Sequence, residues 1–62
     1  MNQNADLDYF KASPVSESAR AIQVTLERNG ETYWIPKSLC EWHREGILMV
    51  ESWFAEKEEL GT

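Results

Sequence analysis

Two alternating runs joined by Asn29-Gly30 constrain this chain more than any other feature. Over "ARAIQVTLER", residues 19–28, Ile22, Val24 and Leu26 point one way, while Ala21, Gln23, Thr25 and Glu27 point the other. That is the period of a half-buried strand. Asn29-Gly30 suits a two-residue type I′ turn, which needs positive φ at both positions. Folding there sets Arg28 opposite Glu31, Leu26 opposite Tyr33 and Val24 opposite Ile35. Tyr33 and Ile35 then join the Ile22/Val24/Leu26 face as core, and Arg28–Glu31 becomes a favourable cross-strand pair. Trp34 falls opposite Thr25, on a face otherwise made of Gln23, Glu27 and Thr32. A large aromatic on a polar face requires a cover or a partner.

Downstream, Pro36 cannot donate to a ladder, so it ends the strand or lies on an edge. "KSLCEWHREG" reads as a connection in which Leu39 and Trp42 share one helical turn. Gly46 permits a turn, and "ILMV", Ile47 to Val50, is a short third strand. "ESWFAEKEELG" is a short helix, capped by Glu51 or Ser52 and terminated by Gly61. Trp53 and Leu60 share a stripe, flanked by Phe54 and Ala55, which docks the helix. Glu56, Lys57, Glu58 and Glu59 form the wet face. The acids near the helix C-terminus oppose its dipole, by a few tenths of a kcal/mol each. Residues 1–18 lack periodicity, and "SPVSES" reads as loop. Their exception is "DLDYF", whose Leu7, Tyr9 and Phe10 either fold back over Trp34 as a second small core or form an acidic-aromatic docking segment.

The expected fold is therefore α+β. A small antiparallel three-stranded sheet, a β-hairpin plus one short strand, packs with a C-terminal helix over residues 19–62, and residues 1–18 form a partly mobile N-terminal arm.

Size and composition narrow the function. A chain of 62 residues makes one modest core and buries only about 60% of its unfolded surface. Such domains usually need disulfides, metal or association. Cys40 is the single cysteine, so no intrachain disulfide forms, and a lone thiol fits a reducing compartment such as the cytosol. The start of the chain has neither the basic nor the apolar region of a signal peptide, and no apolar run approaches the ~20 residues of a membrane span. Eleven acids against six bases give a net charge of −5. That argues against simple binding to a phosphate backbone, which calls for clustered Lys and Arg.

The runs "VTLERNGETYWIPKSLCE" and "VESWFAEKEEL" resemble a module of small, mostly uncharacterised bacteriophage and prophage proteins. The matching residues are Trp34, Ile35, Pro36, Lys37 and Ser38, then Trp53, Phe54, Ala55, Lys57 and Leu60, within about residues 20–60. The resemblance implies a phage-type origin and a compact hairpin-plus-helix domain, and brings no defined activity with it. The chain departs from the pattern at "CEWHRE", which is unusually aromatic.

Catalytic and metal motifs are weak. Cys40 and His43 have Cys-x-x-His spacing, but zinc needs four ligands, or three plus water. Glu41, Glu45 or a second subunit would have to supply the rest. A Cys-His nucleophile pair would lack an orienting group. No Gly-rich phosphate loop and no Ser-His-Asp set occurs. The reading is a non-enzymatic chain with no cofactor and no metal.

What remains is a binding surface. Trp is enriched at interface hot spots, and Trp34 with Trp42 and His43 makes a candidate patch. An acidic surface meets basic partners. Glu51, Glu56, Glu58 and Glu59 on the helix, and Asp6 and Asp8 in the arm, are the candidate acids. The function expected is a small acidic interaction protein of the host cytoplasm, away from membranes. It would inhibit a host defence or nucleic-acid-handling protein, in the manner of anti-CRISPR or anti-restriction factors. Alternatives are a single-stranded nucleic-acid-binding module that stacks bases on the aromatic face, with charge from Arg20, Arg28, Lys37 and Arg44, or a self-associating phage assembly protein. A homodimer is compatible with the first and third.

Overall fold

A computed structural model describes residues 6–60. Five strands, a 3₁₀ turn and a helix follow one another: β1 (Leu7–Glu17), β2 (Ala21–Leu26), β3 (Thr32–Pro36), η1 (Lys37–Leu39), β4 (Cys40–Arg44), β5 (Ile47–Glu51) and α1 (Ser52–Lys57). All pairings are antiparallel, and the strand order is β3-β2-β1-β5-β4.

The expected three strands are thus five, and the expected arm is the middle of the sheet. From Leu7 to Glu17 it runs as β1, the longest strand. Its first half pairs with β5, Leu7 opposite Glu51 through Lys11 opposite Ile47. Its second half pairs with β2, Ala12 opposite Leu26 through Glu17 opposite Ile22, with a bulge at Val15. Met1 to Ala5 of that arm lie outside the described residues. The connection expected after Pro36 is also a strand. Only Lys37–Leu39 is helical, and Trp42 belongs to β4.

The β3–β4 link explains the shape. In a flat sheet the outer strands of this order would lie four spacings apart, about 19 Å. A three-residue 3₁₀ segment advances about 2 Å per residue. The Cys40 thiol in fact donates to the Pro36 carbonyl at 3.4 Å. The sheet must therefore curl until its two outer strands approach at that end.

Curling turns one face inward, and that face is apolar. Val24, Leu26, Ile35, Leu48 and Val50 are fully buried, joined by Phe10 and Ala12 from β1 and by Ala55 and Leu60 beyond it. Ile22, Tyr33, Cys40, Trp42 and Phe54 pack half-buried around them. No polar or charged residue among those described is buried.

Asn29-Gly30 does reverse the chain, but not as a type I′ turn. Gly30 has φ +71°, whereas Asn29 is not in the positive region. The loop takes in Glu27–Gly30. Gly30 donates to the Leu26 carbonyl at 2.8 Å, and Leu26 donates to the Glu31 carbonyl at 2.9 Å. The Asn29 side chain closes it, accepting from Glu31 N–H at 2.9 Å and donating to the Tyr33 hydroxyl at 3.0 Å. Val24 then faces Tyr33, Ile22 faces Ile35 and Gln23 faces Trp34. The register differs by two residues from the expected one, so the Arg28–Glu31 pair is lost while every side chain keeps its face.

The helix is short. Glu51 occupies the N-cap without a side-chain cap bond, and the Ser52 hydroxyl donates instead to Asp8 Oδ1 at 2.8 Å. The end turns at Glu59, φ +55°; Gly61, the expected terminator, lies outside the described residues. Trp53 does not anchor the helix. Its ring is exposed, and Ala55, Leu60 and the half-buried Phe54 hold α1 to the sheet.

Candidate functional site

The outward face of the curled sheet collects the aromatic residues that the core leaves out. In a strand, successive side chains alternate between faces. Ile35 points inward from β3, so its neighbour Trp34 points outward, 51% exposed. Its cross-strand partner is Gln23, and the next pair, Thr25–Thr32, joins hydroxyls at 3.1 Å. Of the β1 aromatics, Phe10 is in the core, and Tyr9, opposite Met49, stands outward at 56% exposure. Tyr9 meets His43 edge-to-face, with ring centroids 5.4 Å apart.

The predicted Trp34/Trp42/His43 patch is thereby divided. Trp42, opposite Leu48, packs half-buried against the core. His43 is exposed on β4, and Trp34 on β3, the other outer strand. A second aromatic feature lies at the helix start. Trp53, 53% exposed, donates its indole N–H to Glu51 Oε1 at 2.6 Å and meets Phe54 edge-to-face at 5.9 Å.

The candidate acids fall into two groups. Asp6, Asp8, Glu56 and Glu59 line one open groove between β1 and α1, together with Leu7, Tyr9 and Arg28. Glu51 lies beside it, half-buried under its bond from Trp53. Glu58 is the C-cap residue of α1 and is exposed. Lys37, a base that nucleic-acid binding would need, is paired with Glu17 at 3.0 Å.

Cys40 and His43 do not converge. The thiol packs toward the core and donates to the Pro36 carbonyl, whereas the imidazole lies against Tyr9. Burial pushes the Cys40 thiol above its ordinary pKa, which keeps it protonated and blunts it as a nucleophile. Among the described residues no three His, Cys, Asp or Glu side chains gather as a metal site.

Two exposed rings lie outside the expected Trp34/Trp42/His43 patch: Trp53, and Tyr9 of the "DLDYF" segment. Tyr9 was legible from alternation: in "LDYF", Leu7 and Tyr9 fall on one face and Asp8 and Phe10 on the other. Trp53 carried no such signal, because helical spacing to Leu60 pointed it inward.

The sequence matches no family model, no curated protein and no solved structure. No helix among the described residues is long and apolar enough to cross a membrane.

Proposed function

We propose that this chain is a non-enzymatic interaction protein that covers a basic surface of a partner protein. In its most specific form it is a phage-type inhibitor of a host defence or nucleic-acid-handling enzyme. One observation carries the reading. Phe10 lies in the core and Tyr33, Trp42 and Phe54 pack against it, while Tyr9, Trp34 and Trp53 stay half-exposed. Large rings that add nothing to the interior are costly to leave in water and are the side chains that anchor interfaces. The net charge of −5 selects the sign of the partner and favours competition with nucleic acid for a basic groove.

Competition is the test. The immobilised protein, exposed to bacterial lysate, should retain a protein that nucleic acid displaces, with retention falling as salt rises. The purified partner should then lose its own nucleic-acid binding when the chain is added. Salt-sensitive quenching of the tryptophans by single-stranded DNA alone, with no protein retained, would favour the base-stacking module instead.

A further inference from the structure

The sheet has four open edges among the described residues, and three of them are interrupted. Antiparallel strands bond through alternate residues, so each strand turns every second N–H and C=O toward one neighbour. On β3, Leu26 bonds Glu31 and Arg20 bonds Lys37, which leaves Thr32, Trp34 and Pro36 facing the open side. Pro36 has no N–H to offer. On β4 the ladder with β5 shifts register between Trp42 and Arg44. The second half of β1, beyond the reach of β5, carries Pro14 and the bulge at Val15. Proline and bulges are the devices that keep an edge from pairing with another chain.

The fourth edge has none. The first half of β1 pairs with β5 only, because β2 begins its pairing at Ala12. Ala12 donates to the Gly46 carbonyl, and the Asp6 carbonyl accepts from Ser52 N–H. Even-numbered residues therefore serve β5. The Leu7 and Tyr9 backbone groups point the other way, in line with Lys11, whose carbonyl accepts from Glu27 N–H at 2.9 Å. Past Glu27 the chain leaves for the turn, and the place of a neighbouring strand is taken by the groove between β1 and α1.

We propose that this edge receives an extended, basic segment of a partner protein as an added strand. The inference rests on the protein-binding reading above and gives the chemistry of the bound segment. Charge decides the occupant. Asp6, Asp8 and Glu56 border the groove against one base, Arg28. A second copy of this chain, itself at −5, would set its own acids against them. A strand with Lys or Arg at alternate positions meets Asp8 and Glu56 on one side. Its intervening apolar side chains lie over Leu7 and Tyr9, both exposed. Backbone bonds then supply affinity and the alternation supplies specificity.

The test uses the full chain, ¹⁵N-labelled, titrated with a ten-residue peptide of alternating lysine and valine. The Leu7 and Tyr9 amides should shift most, and their exchange with solvent should slow at least tenfold. An alternating glutamate–valine peptide, and the lysine–valine peptide N-methylated along its backbone, should each bind at least tenfold more weakly. Tyr9→Pro removes an edge donor but no bond to β5, so it should lose binding by a similar factor, while Tyr9→Phe retains it. If Tyr9→Pro fails to fold, the N-methylated peptide still decides. Equal binding of the methylated peptide, or shifts confined to the Trp34 face, overturns the proposal. So does absence of peptide binding while a protein partner is still retained from lysate, which leaves the protein-binding reading standing; that reading fails separately, if no partner is retained.

Discussion

Leu60 reaches back over five residues to donate its N–H to the Ala55 carbonyl at 2.9 Å. With the Glu59 N–H bonded to the Glu56 carbonyl at 3.1 Å, this is a Schellman closure, and its apolar contact joins two buried residues. The left-handed residue is Glu59 at φ +55°, a conformation that costs a side-chain-bearing residue about 1–2 kcal/mol. Leu60→Ala should destabilise by about 2–3 kcal/mol. Glu59→Gly should stabilise by a few tenths to about 1 kcal/mol, raising the midpoint by a few °C in a domain of this size. Thermal unfolding followed by circular dichroism reads both.

Trp53 and Phe54 should respond in the opposite order to their sizes. Trp53 is exposed, bonded to Glu51 and edge-to-face with Phe54, whereas Phe54 itself packs against the core. Trp53→Ala should cost under about 1 kcal/mol, and Phe54→Ala clearly more. A Trp53→Ala protein that fails to fold would show that the ring docks the helix after all.

β1 lies in the middle of the sheet, between β2 and β5, so it cannot be removed. Deleting residues 1–17 should abolish cooperative unfolding, and Phe10→Ala alone should cost about 3 kcal/mol or more. A truncated chain with a native-like melt would return these residues to the status of an appendage.

Cys40 gives the pH dependence. Burial raises its pKa, so the unfolded thiol ionises first. Its contribution is fully present below the unfolded value, about 8.5, and is lost as pH rises from there through the higher folded value. Denaturant titrations from pH 7 to 10 should show a decline that Cys40→Ala reduces.

The faces of the β2–β3 hairpin were legible because a two-residue register change preserves parity. Trp34 points outward whether it meets Thr25 or Gln23. β1 was hidden for two reasons. Its inward positions run Asp8, Phe10, Ala12 and Pro14, only partly apolar, and Pro14 is a poor strand residue. Pro14 is tolerated because β1 bonds β2 through Lys11 and Ser13, so the missing N–H faces the side that β5 no longer reaches. β4 was hidden by its length and its shifted register, which leave Cys40 and Trp42 as its inward residues. Trp53 misled because the stripe to Leu60 assumes one continuous helix. α1 ends at Lys57, and Leu60 reaches the core through the left-handed turn at Glu59.

The most direct measurement pairs stability with partner affinity in Trp34→Ala. The ring is outside the core and faces Gln23, so the melting temperature should stay within a few °C of the parent. Binding to the partner retained from lysate should weaken by about 2 kcal/mol, roughly thirtyfold. A protein that unfolds, or one that binds with unchanged affinity, would contradict this role for Trp34.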